Sequence, residues 1–265
     1  MKLAFSTLGC PEWDFDAILH NASQMGFDAI ELRGIGQEMR IDRMTPFQPG
    51  RQQQTLRRLQ DAGLSVCCVG TSVRFDEPGL NAIEEGRAAI DVCARMGIPF
   101  IRVFGDCRRT GRTVEQLMDD VADGCGRLCE YADGTDVQIL LEVHGDFDRA
   151  ERILPVIHGV QSSHFGILWD IEHSDAVYGD QFALFYRELV PHVKHVHIKD
   201  AFRTPEGHRL CGTGEGDLPI AGVVHLLEAE NYAGFFSLEW EKKWHPELPD
   251  AGQAFPQYVR YMRGL

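Results

Sequence analysis

The chain has 265 residues, of which 44% are hydrophobic, and it carries 40 acidic side chains against 26 Lys and Arg, for a formal net charge of −14. Such a charge repels nucleic-acid phosphates and anionic membrane surfaces, so the composition argues against a nucleic-acid or membrane partner. The sequence shows neither a signal peptide nor a run of about 18 apolar residues. We therefore expect a cytoplasmic protein that acts on a small molecule.

Cysteine spacing points to no redox or zinc-finger motif. The eight cysteines are scattered, and neither the adjacent Cys67 and Cys68 nor the pair Cys125 and Cys129 has the spacing of a C-x-x-C motif or of a paired zinc finger. Buried free thiols in a reducing compartment are the expected arrangement.

Predicted strands and helices alternate along the whole chain. The strands are 3–7, 28–33, 64–70, 100–104, 137–142, 165–170, 193–199 and 235–240, and the helices are 15–25, 50–62, 80–96, 113–132, 149–157, 181–189, 220–230 and 254–262. Three helices end at a glycine, the usual stop signal. No linker divides the pattern, so it favours one (β/α)8 TIM barrel spanning 1–265 as a single domain over a doubly wound sheet. The long segments 33–49 and 202–216 follow strands and are expected as loops on the catalytic face.

Four consecutive predicted strands end in polar residues. The strands at 137, 165 and 235 deliver Glu142, Asp170 and Glu239, and the strand at 193 delivers His197. Side chains alternate between the two faces of a strand, and in a barrel the polar set points inward near the top. Each residue alone fits a buried polar group bonded to a neighbour, whereas four at matching strand ends favour one shared site.

A cation is expected at this site. Three carboxylates packed together would cost several kcal/mol in repulsion and desolvation unless a positive charge neutralised them. Oxygen-rich coordination with one imidazole suits Mn²⁺ first, with Mg²⁺, Co²⁺ or Zn²⁺ as alternatives. The metal ligands predicted from the strand ends are Glu142, Asp170, His197 and Glu239.

At these residues the chain resembles the xylose isomerase-like barrel superfamily, which includes ketose 3-epimerases, hydroxypyruvate isomerases, inosose dehydratases and metal-dependent apurinic endonucleases. The motifs that carry the resemblance are L-L-E at 140–142, W-D-x-x-H at 169–173, H-x-H at 195–197 and S-L-E at 237–239. The resemblance implies the same four metal ligands. It also implies that His173 contacts a substrate hydroxyl and that Arg203 binds substrate, and it is compatible with a homo-oligomer.

The resemblance implies a sugar isomerase or epimerase that acts on a keto-sugar or a polyol-derived ketone. In this hypothesis Glu142 and Glu239 are the catalytic acid and base, one removing the proton beside a metal-bound carbonyl and the other returning it. The alternative is a lyase of the inosose dehydratase type, with an acid near the leaving group. Candidates for that acid and for other substrate contacts are Lys199, His173, Glu241 and the inward-facing His144.

Two further alternatives are weaker. An endonuclease of this superfamily needs additional histidines after strands three and four, where this chain has Gly70-Thr71 and Phe104-Gly105. A non-catalytic scaffold is disfavoured because all four ligands are present. Glu31 and Arg102 also face inward, and a structural salt bridge explains them at least as well as substrate contact.

The glycine-rich segment 212–216 lacks the lysine of a phosphate-binding P-loop. It precedes a helix whose expected N-cap is Asp217. Phosphate groups in barrels often bind near this position, but an acidic cap opposes an anion, so a neutral sugar is preferred.

Overall fold

The computed structural model describes residues 1–75, 80–105 and 111–265. It contains ten strands within this part of the chain: β1 (Lys2–Ser6), β2 (Ala29–Leu32), β3 (Ser65–Arg74), β4 (Phe100–Phe104), β5 (Gln138–Glu142), β6 (Phe165–Asp170), β7 (Val193–Ile198), β8 (Asp200–Thr204), β9 (Gly207–Cys211) and β10 (Phe235–Leu238). Eight of them form a closed parallel barrel in the order β1-β10-β7-β6-β5-β4-β3-β2. The predicted (β/α)8 fold is confirmed.

Nine α-helices lie between the strands in the described residues: α1 (Phe15–Met25), α2 (Gln52–Asp61), α3 (Leu80–Met96), α4 (Val114–Ala132), α5 (Ala150–Val160), α6 (Ile171–Tyr178), α7 (Phe182–Leu189), α8 (Ile220–Ala229) and α9 (Ala251–Arg263). Capping residues determine where helices begin and end, as α1 shows. Asp14 caps α1 by accepting a hydrogen bond from the amide of Ala17. Gly26 then ends this helix at φ 81°, a left-handed conformation that glycine adopts without strain.

The barrel interior has an apolar layer and a polar layer. Small side chains of β1, β2 and β3 pack against Phe100 and Phe235 near the amino-terminal ends of β4 and β10. Towards the carboxyl ends the buried residues become charged, and they include Glu31, Arg102 and Glu142. These charged side chains therefore lie above the apolar layer, towards the end of the barrel where barrel enzymes have their active sites.

Three local predictions were wrong. The segment 202–216 is not only loop, because β8 and β9 form an antiparallel hairpin within it. The helix α6, which begins directly after β6, was not predicted. Asp217 does not cap α8; its Oδ2 instead accepts a hydrogen bond from the backbone amide of Arg203 at 2.9 Å, and α8 begins after Pro219 without a side-chain cap.

The seven cysteines in the described residues are free and buried, as expected, and Cys107 lies outside those residues. Across 1–75, 80–105 and 111–265, no helix combines the length and the apolarity that crossing a membrane requires.

Candidate metal centre

The four predicted metal ligands lie together inside the barrel mouth. One ligand atom from each of them falls within 4.8 Å of the others. We call this set the ligand cluster: Glu142, Asp170, His197 and Glu239. Strand register produces the arrangement, because β6 and β7 pair Asp170 directly with His197, and β10 pairs Ser237 with His197 from the other side. All four side chains are buried.

The imidazole of His197 faces all three carboxylates through one nitrogen. Its Nδ1 lies 3.1 Å from Glu142 Oε1, 3.4 Å from Glu239 Oε2 and 3.9 Å from Asp170 Oδ2. Burial by itself lowers the pKa of His197, but the surrounding carboxylates raise this pKa well above its ordinary value. The cluster therefore strongly favours a positive charge at this point.

Lys199 supplies part of that charge. Its Nζ lies 2.9 Å from Asp170 Oδ2, 2.6 Å from Glu239 Oε2 and 2.7 Å from Glu241 Oε1. Burial opposes the charged form of Lys199, yet these carboxylates raise the pKa of Lys199 well above its ordinary value. In return, Lys199 helps to hold the pKa of Asp170 and Glu239 low, although burial alone would raise both. Lys199 thus places a positive charge beside two of the four ligands.

A second buried cation lies on the β4 side. Arg102 Nε is 3.2 Å from Glu142 Oε2, and Arg102 Nη1 donates to the carbonyl of Thr71. Arg33, at the end of β2, packs next to it. Burial and the neighbouring Arg102 lower the pKa of Arg33 to about 10. Gly70 makes this packing feasible, because a Cβ there would lie 2.8 Å from both Arg102 Nη2 and Arg33 Cδ.

Beneath the ligand cluster lies a second buried polar group, the floor cluster, made of Glu31, His195 and Ser237. Glu31 Oε2 pairs with His195 Nε2 at 2.8 Å and accepts a hydrogen bond from Ser237 Oγ at 2.9 Å. Glu31 Oε1 pairs with His197 Nε2 at 2.9 Å. The floor cluster is therefore joined to the ligand cluster through the ring of His197.

The ligand cluster suits a divalent metal. Glu142 Oε2 and Asp170 Oδ2 are buried without a hydrogen-bond partner, although each lies within ion-pair distance of a cation, Arg102 and Lys199 respectively. Buried carboxylate oxygens are rarely left in this state unless they bind something. Three carboxylates and one imidazole form an oxygen-rich donor set that hard or borderline divalent ions accept. The residues that would hold the ion are those of the ligand cluster.

A polar cavity of about 680 Å³ opens beside the ligand cluster. Glu241 connects the two, because it lines the cavity and also contacts Lys199. Two predicted substrate-binding residues, His144 and His173, lie on its wall with ring centroids 4.1 Å apart. The ionisable groups of the wall are four histidines, three glutamates and one arginine: His144, His173, His208, His245, Glu172, Glu241, Glu247 and Arg209.

A family model for the xylose isomerase-like TIM barrel matches residues 19–263. The chain belongs to this family. The family model therefore covers every residue of the ligand cluster and of the floor cluster.

Solved structures similar to this xylose isomerase-like barrel support the same fold. The probable 3-DHS dehydratase AsbF of Bacillus anthracis, involved in petrobactin synthesis, is 17% identical with a TM-score of 0.79, and the match covers 99% of both chains. The 3-keto-D-glucoside 4-epimerase YcjR of E. coli is 18% identical with a TM-score of 0.77 over 100% of both chains. The IOLI protein, solved with a bound zinc atom, is 16% identical with a TM-score of 0.79 over 99% of this chain and 96% of that one. No curated protein matches the sequence.

Arg203, predicted as a substrate contact, lies apart from the other site residues. It projects from the hairpin β8–β9, and its guanidinium forms two hydrogen bonds with Asp175 and one with Asp180. These contacts raise the pKa of Arg203 above its ordinary value. His208 of the same hairpin reaches α6 as well, pairing with Glu172 at 2.6 Å and with Asp175 at 3.0 Å. Both side chains attach the hairpin to α6 at the edge of the cavity.

Glu31 and Arg102 were predicted to face into the barrel, but their partners were not predicted. Strand alternation was sufficient to show their direction, but the partners are 31 to 206 positions away. His208 was missed entirely because the hairpin that carries it was expected as a loop. Its spacing from Asp175 has no sequence signature.

Proposed function

We propose that this chain is a divalent-metal-dependent sugar isomerase or epimerase that acts on a keto-sugar or a polyol-derived ketone. The observation that carries the proposal is the ligand cluster itself: four buried ligand atoms within 4.8 Å of one another, two carboxylate oxygens without hydrogen-bond partners, and a polar cavity alongside. Membership of the xylose isomerase-like family agrees with this assignment.

Manganese is the proposed ion, with Mg²⁺, Co²⁺ and Zn²⁺ as alternatives. Carboxylate oxygens outnumber nitrogen donors three to one in the ligand cluster, and no thiolate belongs to it, which favours the harder ions. Zinc is kept as an alternative ion because borderline sites accept it and because one structurally similar protein was solved with zinc.

When bound, the metal would polarise the substrate carbonyl and acidify the neighbouring C–H bond. Glu142 and Glu239 would move the proton. They come from β5 and from the end of β10, which β6 and β7 separate in the closed barrel, so they reach the substrate from different sides. One carboxylate removes the proton and the other returns it, giving an epimer on the same carbon or an isomer on the next.

The cavity wall supports an uncharged, hydroxyl-rich substrate. His144, His173 and Glu241 offer hydrogen-bond donors and acceptors to hydroxyl groups. The nearby cations are already engaged: Lys199 by three carboxylates, Arg203 by two, and Arg209 over the ring of Phe202. A phosphate group would meet three glutamates on this wall, so a phosphosugar is disfavoured.

The test is a panel of neutral and phosphorylated ketoses incubated with Mn²⁺-loaded protein in deuterium oxide. We expect proton NMR to show deuterium replacing the hydrogen next to the carbonyl, together with a new epimer or isomer, and no exchange after the metal is removed with a chelator. Turnover of phosphorylated ketoses alone would overturn the preference for a neutral substrate. Absence of exchange across a broad panel would count against the proposal as a whole.

The two-carboxylate scheme has its own test. Glu142→Gln and Glu239→Gln should each abolish epimer formation, with losses of about 10²–10⁴-fold, the usual contribution of a general acid or base. Metal content is measured beside activity, because both residues are also proposed ligands. If Glu239→Gln retains metal and full turnover while Glu142→Gln is inactive, the scheme is wrong.

A lyase is the second candidate, and one observation favours it. Lys199 and Glu241 lie 2.7 Å apart, and Glu241 lines the cavity, so this pair could deliver a proton to a leaving hydroxyl or alkoxide. The fold likeness to a probable dehydratase agrees with such chemistry. Mass spectrometry of the same panel separates the candidates, since a lyase releases water or an alcohol and leaves a lighter product, whereas an epimer or isomer keeps every heavy atom of the substrate.

A further inference from the structure

Glu31 of the floor cluster contacts a proposed metal ligand without belonging to the ligand cluster. The carboxylate is fully buried and has three partners at 2.8 to 2.9 Å: His195 Nε2, His197 Nε2 and Ser237 Oγ. Both oxygens of Glu31 therefore accept hydrogen bonds, Oε1 from His197 and Oε2 from His195 and Ser237.

The contact between Glu31 and His197 determines which ring nitrogen of His197 points at the ligand cluster. Because Nε2 of His197 donates to Glu31, the other ring nitrogen, Nδ1, is the one directed at Glu142 and Glu239. A ring rotated by half a turn about the Cβ–Cγ bond would place Cε1 near Glu31 and Cδ2 near the ligand cluster, so both contacts would be lost. A carboxylate bonded to the far nitrogen also makes an imidazole a stronger electron donor.

The floor cluster could instead be read as a second metal site, since Glu31, Cys68 and His195 also offer three ligand atoms within 4.8 Å of one another. One observation opposes this interpretation: both oxygens of Glu31 already accept hydrogen bonds from the protein. We therefore interpret the floor cluster as a group that positions His197.

We propose that Glu31 is a positioning residue for the metal centre: it fixes His197 with Nδ1 towards the ligand cluster and so raises metal affinity, while Ser237 and His195 hold Glu31 in place. The inference rests on the proposed metal dependence but not on the identity of the substrate. Outer-shell partners of metal-bound histidines typically contribute about 10–100-fold to metal affinity, and we expect an effect of this size.

The test uses Co²⁺ alone as the probe, with the dissociation constant measured by competition against a chromogenic chelator. Glu31→Gln keeps an acceptor oxygen and removes the charge; Glu31→Leu removes both. We expect Co²⁺ to bind about tenfold more weakly to the first variant and up to about 100-fold more weakly to the second. The visible spectrum of bound Co²⁺, which reports the ligand field, should change in the Leu variant.

Ser237→Ala is the graded comparison. It removes one of the two donors to Glu31 Oε2 but leaves the contact of Oε1 with His197, so Co²⁺ affinity should fall by no more than about threefold. A folded Glu31→Leu protein, judged by circular dichroism, that binds Co²⁺ as tightly as the parent would overturn the inference and leave the proposed function intact. A parent protein that binds neither Co²⁺ nor Zn²⁺ would overturn both.

A second measurement needs no variant of Glu31, in case that substitution prevents folding. Parent protein labelled with nitrogen-15 and loaded with Zn²⁺ is examined by long-range proton–nitrogen correlation NMR, with a His195→Gln spectrum to separate the two histidines. We expect His197 to carry its proton on Nε2 and to bind Zn²⁺ through Nδ1. Zinc on Nε2 of His197 would contradict the inference directly.

Discussion

The ligand cluster and the floor cluster are neighbouring buried polar groups whose carboxylates differ in the hydrogen bonds they accept, although His195 Nδ1 of the floor cluster also has no partner. In the floor cluster both oxygens of Glu31 accept hydrogen bonds from the protein. In the ligand cluster Glu142 Oε2 and Asp170 Oδ2 accept none. A satisfied network stabilises one arrangement of side chains, whereas unsatisfied buried carboxylates are ready to bind a cation. We therefore expect Glu31 to position the site, and Glu142 and Asp170 to act in it.

The two clusters also differ in charge. In the floor cluster the carboxylate of Glu31 faces two histidine rings, that of His195 and that of His197 from the ligand cluster. The ligand cluster has three carboxylates, which Lys199 and Arg102 neutralise only in part. Substitutions in the ligand cluster should therefore change metal binding most, those of Glu31 should change it less, and those outside both clusters should change mainly stability.

The largest effect is expected from Asp170→Asn, which removes a proposed ligand while retaining shape. Bound metal, measured by elemental analysis, should fall from about one equivalent to almost none, and activity should fall with it. Asp170 also caps α6, but asparagine caps helices equally well, so the fold should persist. At a metal concentration about 100 times the dissociation constant, the parent should gain about 2.7 kcal/mol in free energy of unfolding and the variant nothing.

A variant at Asp170 that still binds one equivalent of metal would show that the ligand cluster is not the binding site. Metal soaking before the analysis guards against loss during purification.

Lys199→Met should lower the free energy of unfolding of the metal-free protein by about 3–5 kcal/mol, because Asp170 and Glu239 would be left buried without their nearest cation. Added Mn²⁺ should restore most of this loss. The control is Lys194→Met, since Lys194 bonds only a backbone carbonyl at the surface and should change stability by no more than about 0.5 kcal/mol. Urea titrations measure both. Equal effects would mean that Lys199 does not balance the ligand cluster.

Gly70→Ala should destabilise the protein by about 1–3 kcal/mol through overpacking, because its Cβ would lie 2.8 Å from the guanidinium of Arg102 and from Arg33 Cδ. Gly252→Ala is the matched control in α9, where no heavy atom lies within 4 Å of the added carbon, and it should be neutral or slightly stabilising. Urea unfolding midpoints distinguish the two. A neutral Gly70→Ala would show that the arginine pair can move aside freely.

The smallest effect is expected from His208→Ala, outside both clusters. It removes the two contacts that join the hairpin to Glu172 and Asp175, so global stability should fall by only about 0.5–1.5 kcal/mol. Hydrogen exchange should accelerate in residues 200–211 and stay unchanged in the barrel strands. Arg209→Ala, which removes a stacking contact on Phe202, should leave exchange across α6 unaltered. Faster exchange throughout the barrel would mean that the hairpin supports the whole fold.

Much of the architecture could be predicted from local patterns. Alternating strands and helices identified the barrel, and residue parity indicated that Glu142, Asp170, His197 and Glu239 face inward. Elements with weak local signals were missed. The helix α6 follows β6 without an intervening turn, and its side chains form no wide apolar stripe, so the sequence near 171–178 reads as loop. The hairpin β8–β9 is short, and its buried residues, Asp200, Ala201 and Cys211, are confined to its base.

Period-two alternation and helix stop signals are local properties of the chain, so they are sufficient to predict the barrel and the inward direction of the four proposed ligands. What these groups contact depends on the tertiary fold. That Glu31 holds His197, that Arg102 faces Glu142 and that Lys199 bridges Asp170 and Glu239 depend on strand register around a closed barrel. Register is set by packing between distant segments, so it leaves no local pattern to read.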